Sequence, residues 1–186
     1  MPILKKEIDI FPNNLLDNEA LLGDIVRTWY AAYTVSRQEK KLMRSLLEWN
    51  SPFYGPLMPQ RRRAPTGRIY TSFAPVFTSY VFLFSTEDER VKALKTNCIT
   101  QLHPIEAAAP FLIDLQRIHG LLSTGISLTR EAKMVVGSPA RIRSGPFAGY
   151  EGTVIRRQGK TRFLIWIEFV GQGVSVEIDE GLLVSL

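Results

Sequence analysis

The sequence predicts an α+β chain in two parts: a mixed or antiparallel sheet with flanking helices, then a small all-β barrel. Three observations predict it. Residues 28–124 read in order as strand, helix, three strands, helix, strand and helix, the pattern of a sheet with helices packed on it. Residues 140–186 break into five short, regularly spaced apolar segments, as in a small barrel. The stretch Val136–Arg157 joins alternating apolarity to Gly-Pro punctuation, a strand–turn–strand signal.

Taken in order, residues 1–27 form an N-terminal extension with at most a short helix near Asn18–Ile25 and no clear strand. Trp29-Tyr30-Ala31-Ala32-Tyr33-Thr34-Val35 is an aromatic and β-branched strand. Ser36 with Glu39 has capping-box spacing, so a helix is expected there, burying Leu42, Met43, Leu46 and Leu47 and ending before Pro52. Phe53–Pro59 reads as a strand, Pro65-Thr66-Gly67 as a hairpin tip and Arg68–Phe73 as the returning arm. Tyr80–Phe84 reads as a central strand, and Thr86 with Glu89 as a second capping box opening a helix that buries Val91 and Leu94. Ile99–His103 is a further strand. Pro104 starts a long helix with Ala108, Leu112, Leu115, Ile118 or His119, and Leu122 in one stripe. Gly125–Lys133 is polar enough for a linker. The barrel strands are Ala140–Arg143, Gly152–Gln158, Arg162–Phe169, Val174–Ile178 and Leu182–Leu186.

Composition narrows the function. No apolar run can span a bilayer and no leader signal opens the chain, so a cytoplasmic protein with no membrane partner is expected. The single cysteine, Cys98, excludes an intramolecular disulfide, and with His103 and His119 it matches no usual ligand spacing. No cofactor or metal is expected. Gly145–Gly152 lacks the Lys-Ser/Thr of a phosphate-binding loop, and no Ser-His-Asp, His-Glu-x-x-His or paired-Cys arrangement occurs. A non-enzymatic monomer is the expectation.

The net charge is +5, with its excess in residues 28–125. Arg61, Arg62, Arg63 and Arg68 fall within eight residues that contain no acid. That density fits a phosphate-facing patch or a solvated loop.

The run Gly145-Pro146-Phe147-Ala148-Gly149-Tyr150-Glu151-Gly152-Thr153-Val154 closely resembles a KOW motif, which implies an SH3-like barrel. Together with the Trp29-Tyr30 strand, the basic helix, the hairpin and the run Phe77-x-x-Tyr80-Val81-Phe82, residues 28–186 resemble the NusG family of transcription elongation factors. The resemblance implies four segments: the extension 1–27, a polymerase-binding domain 28–124, a linker 125–133 and a KOW domain 134–186. It implies binding to the clamp helices of the largest RNA polymerase subunit through Tyr33, Phe77, Tyr80 and Phe82. Alternation along the strand makes some of these aromatics, Phe82 of that set and its neighbour Phe84, core as well.

By the same resemblance, Arg61, Arg62, Arg63 and Arg68 face upstream or non-template DNA. Phe169, Val170 and Gln172 would lie in the loop that recruits Rho or a small-subunit ribosomal protein. The implied role is modulation of pausing, termination or antitermination. Phe77-Thr78-Ser79-Tyr80 stands where the family has Phe-Pro-Gly-Tyr, and Val170 and Gln172 also depart from its pattern. With the extension, these departures point to a specialised paralogue. The competing reading is a structural RNA-binding KOW protein of the ribosomal-protein type. It calls for a strongly basic barrel, whereas residues 139–186 carry six basic and five acidic side chains.

One branch of the family refolds its C-terminal domain into helices. Here Gly145, Pro146, Gly149, Gly152, Gly159, Gly171 and Gly173 oppose that, each interior glycine costing a helix about 1 kcal/mol. The domain is expected to stay β, leaving the polymerase-binding face open without a trigger.

Overall fold

Alternating apolar residues on short segments pair into three antiparallel sheets in the computed structural model, which describes residues 5–132 and 137–186. Val136 and the first residues of the expected domain 134–186 lie outside the described residues. The described residues hold four α-helices, so the class is α+β.

The first sheet runs β1 (Ile10–Phe11), β3 (Phe53–Tyr54), β6 (Tyr80–Ser85), β2 (Thr28–Thr34), β7 (Ile99–Pro104). Period-two geometry sends Ala32, Phe53, Val81 and Leu83 to one face. There they form a core with Leu42, Met43 and Leu46 of α2 (Glu39–Glu48), Ala93 of α3 (Glu87–Leu94), and Cys98. The opposite face is aromatic.

The extension belongs to this sheet. β1 pairs with β3, a short helix α1 (Glu19–Leu22) is capped by the Asn18 side chain, and Leu15 and Leu16 are fully buried. Two paired residues leave no periodicity to read, which is why the sequence shows no strand there.

The two capping boxes have different outcomes. Thr86 and Glu89 form theirs at the head of α3. Ser36 and Glu39 do not: α2 begins after Gln38 with no side-chain cap, because Arg37 takes a left-handed φ of 63° and Glu39 is used elsewhere. Helix α3 also buries Ala93 rather than Val91 and Leu94, which are 39% and 37% exposed. At eight residues, α3 presents only a narrow apolar contact to the core.

β4 (Leu57–Arg63) and β5 (Ile69–Pro75) pair only with each other, from Leu57↔Pro75 to Arg63↔Ile69. They make a hairpin of seven-residue arms outside the main sheet.

The chain divides into two compact units, Met1–Ala108 and Ala109–Leu186. The second holds nearly all of α4 (Ala108–Ser123), which the sequence places with the first domain. Its buried side chains are Phe111, Leu115, Ile118 and Leu121, so the expected stripe is rotated from Leu112 and Leu122. Arg117 Nη1 donates to the Glu151 carbonyl at 3.2 Å. Tyr150 lies so close to Gly120 that a Cβ there would stand 2.3 Å from its hydroxyl, so a larger residue would make that side chain move.

The unit's sheet runs β13 (Leu183–Ser185), β9 (Ser138–Ile142), β10 (Glu151–Arg157), β11 (Lys160–Ile167), β12 (Gln172–Glu177), β8 (Leu128–Glu131). Strand β8 lies inside the segment expected to be a linker. Its Leu128 and Glu131 are buried, an anchoring that a polar composition conceals. Described residues from 138 onward are strands and turns, with a single 3-10 turn at Glu180–Leu182. Gly145 provides the left-handed residue (φ 90°) of the Gly-Pro turn.

Candidate functional site

Cross-strand register builds the aromatic face of the first unit. Trp29 pairs with Phe84, Ala31 with Phe82 and Tyr33 with Tyr80, while Tyr54 lies opposite Phe82 on β3. The rings of Trp29 and Phe84 stand 5.1 Å apart and those of Tyr33 and Tyr80 5.2 Å. Phe77 meets Phe82 edge-on at 5.3 Å. Such ring pairs add about 0.5–1.5 kcal/mol beyond the area they bury.

The four aromatics expected as contacts do not share one environment. Tyr33 is 39% exposed and Tyr80 half-buried, so this pair presents surface. Phe77 and Phe82 are 1% and 0% exposed and present none. As rings without a polar atom, they gain most by burial against each other. In the free chain they pack inside the unit and offer no surface. Burial, and then the neighbouring Tyr33, push the Tyr80 phenol above its ordinary value, so it remains a neutral hydroxyl at physiological pH.

The turn that delivers Tyr80 depends on a residue outside the expected set. Ser79 has φ 62°, a conformation that favours glycine and that the family's Pro-Gly supplies without strain. Its N–H donates to the Glu39 carboxylate at 2.8 Å, and its carbonyl accepts from Thr34 N–H at 2.8 Å. Glu39 is 6% exposed. Its capping-box spacing hid this use, and nothing local in the sequence signals a bond spanning forty positions. Trp29 and Tyr54 also join the aromatic face, and strand alternation from Tyr33 leads to Trp29.

Arg61, Arg62, Arg63 and Arg68 lie together on the exposed hairpin. Arg62 donates to the Gln60 side chain at 3.0 Å and Arg63 to the Gly67 carbonyl at 3.3 Å. Among the described residues none of the four pairs with a carboxylate. The four charges are therefore concentrated and unneutralised, which is what phosphate recognition requires.

In the C-terminal sheet, Phe169 is 50% exposed, Val170 is 7% exposed and Gln172 opens β12 half-buried. Of the expected loop residues, Phe169 is the one the surface offers. Val170 is turned inward, and its N–H donates to the Ile167 carbonyl at 3.2 Å. Among the described residues no group of three His, Cys, Asp or Glu is arranged to hold a metal, and no helix is long and apolar enough to cross a membrane.

The family model described as transcription termination factor nusG matches residues 27–122, more than half of the chain. The chain belongs to the NusG family. It is a transcription-related factor, in a family whose members associate with RNA polymerase. The NusG match takes in Tyr33, Phe77, Tyr80, Phe82 and the four hairpin arginines, and leaves out the extension and the C-terminal sheet. No curated protein matches the chain.

Proposed function

We propose that this protein is a non-enzymatic, cytoplasmic transcription elongation factor that acts as a monomer on RNA polymerase. The Tyr33–Tyr80 pair docks on the polymerase clamp helices. The arginine hairpin then lies along upstream or non-template DNA, and through these contacts the protein modulates pausing, termination or antitermination. The C-terminal sheet serves as a KOW barrel that recruits a partner through Phe169 and Gln172, either Rho or a small-subunit ribosomal protein. The protein is a specialised paralogue, a reading supported by an extension that lies outside the family match. The observation that carries the proposal is the cluster of unneutralised guanidiniums on a hairpin, projecting from a domain whose sheet is faced with aromatics.

The structural RNA-binding alternative draws less support, because the cations of the C-terminal sheet are mostly matched to carboxylates. Transcription with purified polymerase on a pausing template tests the proposal. Wild type should change pause lifetimes, and Tyr80→Ala should weaken polymerase binding by about 2 kcal/mol while remaining folded by circular dichroism. Wild-type binding by the folded Tyr80→Ala variant would place the docking surface elsewhere.

A further inference from the structure

The arginine hairpin leaves the main sheet through a two-residue joint, Gly55-Pro56, between β3 and β4. Glycine is the most permissive backbone residue, and proline has no N–H with which to fasten the joint. In the first unit, Asp9 of the extension spans this weak point. Its backbone carbonyl accepts from Gly55 N–H at 2.8 Å, and its carboxylate Oδ2 accepts from Leu57 N–H at 2.9 Å. The amides on both sides of Pro56 are thus held by one residue.

Neighbouring contacts hold Asp9 in turn. Lys6 Nζ lies 2.7 Å from Oδ2, and the adjoining β1 pairs with β3 at Ile10↔Tyr54 and Phe11↔Phe53. Glu7 reaches Arg44 of α2 at 2.9 Å. On the opposite side of the root, Val76 N–H donates to the Pro56 carbonyl at 2.8 Å. The family match covers residues 27–122, so it takes in Gly55 and Leu57 but leaves out Asp9, which fastens them.

We propose that Asp9 is a positioning residue that fixes the direction in which the arginine hairpin leaves the sheet, so that the extension aims the nucleic-acid arm without touching nucleic acid. The effect on DNA rests on the hairpin reading given above; the aiming itself does not. Electrostatics alone predicts the opposite sign. Asp9 is an acid near a basic arm, and removing it would tighten DNA binding by relieving its field. Positioning predicts that Asp9→Ala weakens binding and that Asp9→Asn, which keeps an acceptor oxygen for Leu57, restores it.

The test uses the full-length chain, with residual dipolar couplings reporting the orientation of residues 61–68 against the five-stranded sheet. Forked-DNA affinity is measured by fluorescence anisotropy beside them. In Asp9→Ala the hairpin should reorient or lose order and affinity should fall roughly fivefold, the scale of one hydrogen bond. In Asp9→Asn both should match wild type. An unchanged hairpin orientation in folded Asp9→Ala overturns the proposal, as does tighter DNA binding. Should Asp9→Ala fail to fold, amide exchange in wild type decides: a Leu57 N–H as protected as the main sheet supports the fastening, and one exchanging as fast as the hairpin tip overturns it. If wild type binds DNA no better than a chain lacking the four arginines, the nucleic-acid reading fails, and the couplings still decide whether Asp9 aims the hairpin.

Discussion

The hairpin and the C-terminal sheet are both rich in arginine, yet they use it in opposite ways. In the sheet, Arg141 meets Glu151 at 2.9 Å, Arg156 meets Glu180 at 3.0 Å and Lys160 meets Glu177 at 2.7 Å. Arg157 is bound to the buried Glu131. Arg162 donates to the Ser175 and Thr129 hydroxyls at 2.8 Å each. On the hairpin, among the described residues, the guanidiniums of Arg62 and Arg63 meet an amide side chain and a backbone carbonyl and no carboxylate. A count of basic residues does not separate these regions; the carboxylates across the strand do. Paired cations lock strands to one another, while unpaired ones leave their field for something outside the chain.

Neutralising Arg61, Arg62, Arg63 and Arg68 together should break the contrast most severely. DNA affinity at low salt is expected to fall roughly a hundredfold, and the slope of log affinity against log salt to flatten by about 0.9 for each phosphate left without its arginine. Binding to isolated clamp helices should be unchanged. An equal fall in both would assign the arginines to the polymerase surface or to the fold.

Next in size is Glu131→Ala. Glu131 is 3% exposed, accepts from the buried Ser175 hydroxyl at 2.7 Å and holds Arg157. Its removal should destabilise the C-terminal sheet by about 2 kcal/mol, read as faster amide exchange in β8 and β12 of the full chain. DNA affinity should stay within about twofold of wild type, since one hidden acid contributes little to the outer field. A large rise in DNA binding would make the two regions a single electrostatic surface.

The smallest effect is one of pH. A hydrogen bond from Arg141 holds the Glu151 carboxyl below the ordinary glutamate range, and hydrogen bonding from Thr161, then the charge of Arg156, does the same for Glu180. A carboxyl depressed in the folded state stabilises above its unfolded pKa, and the contribution is lost as pH falls through the folded value. Thermal melts should therefore show the C-terminal sheet weakening modestly below the glutamate range. Arg141→Ala should reduce the part of that acid dependence due to Glu151, with Arg117, 3.6 Å away, sustaining the rest. An acid response identical in wild type and variant would deny these pairs any part in stability.

Elements with internal periodicity were legible in the sequence. The strands at 28–34 and 80–85, the Thr86–Glu89 cap and the returning arm of the hairpin follow from local spacing. So does the place of the four arginines, because absence of acid is itself a sequence property. The segment Phe53–Pro59, which reads as one strand, is instead split at Gly55-Pro56 into β3 of the main sheet and β4 of the hairpin. What was hidden depends on partners far along the chain. Glu39 looked like half of a capping box and supports the turn at Ser79; Asp9 looked like one more acid in a loose extension and fastens Leu57. The burial of Phe77 and Phe82 was hidden as well, because ring type says nothing about which neighbour covers it. Strand β8 escaped notice because a four-residue strand with only its end residues buried resembles a polar connector.

The left-handed turn at Ser79 also ties together two positions that lie far apart in the chain. A glycine there would need no support and would leave position 39 free to vary. Once serine stands there, the conformation leans on the carboxylate of Glu39, and the two sites are no longer separately replaceable. Glu39→Ala should therefore loosen the turn at Ser79 in this chain, and with Ser79→Gly in place the same loss at position 39 should be nearly harmless.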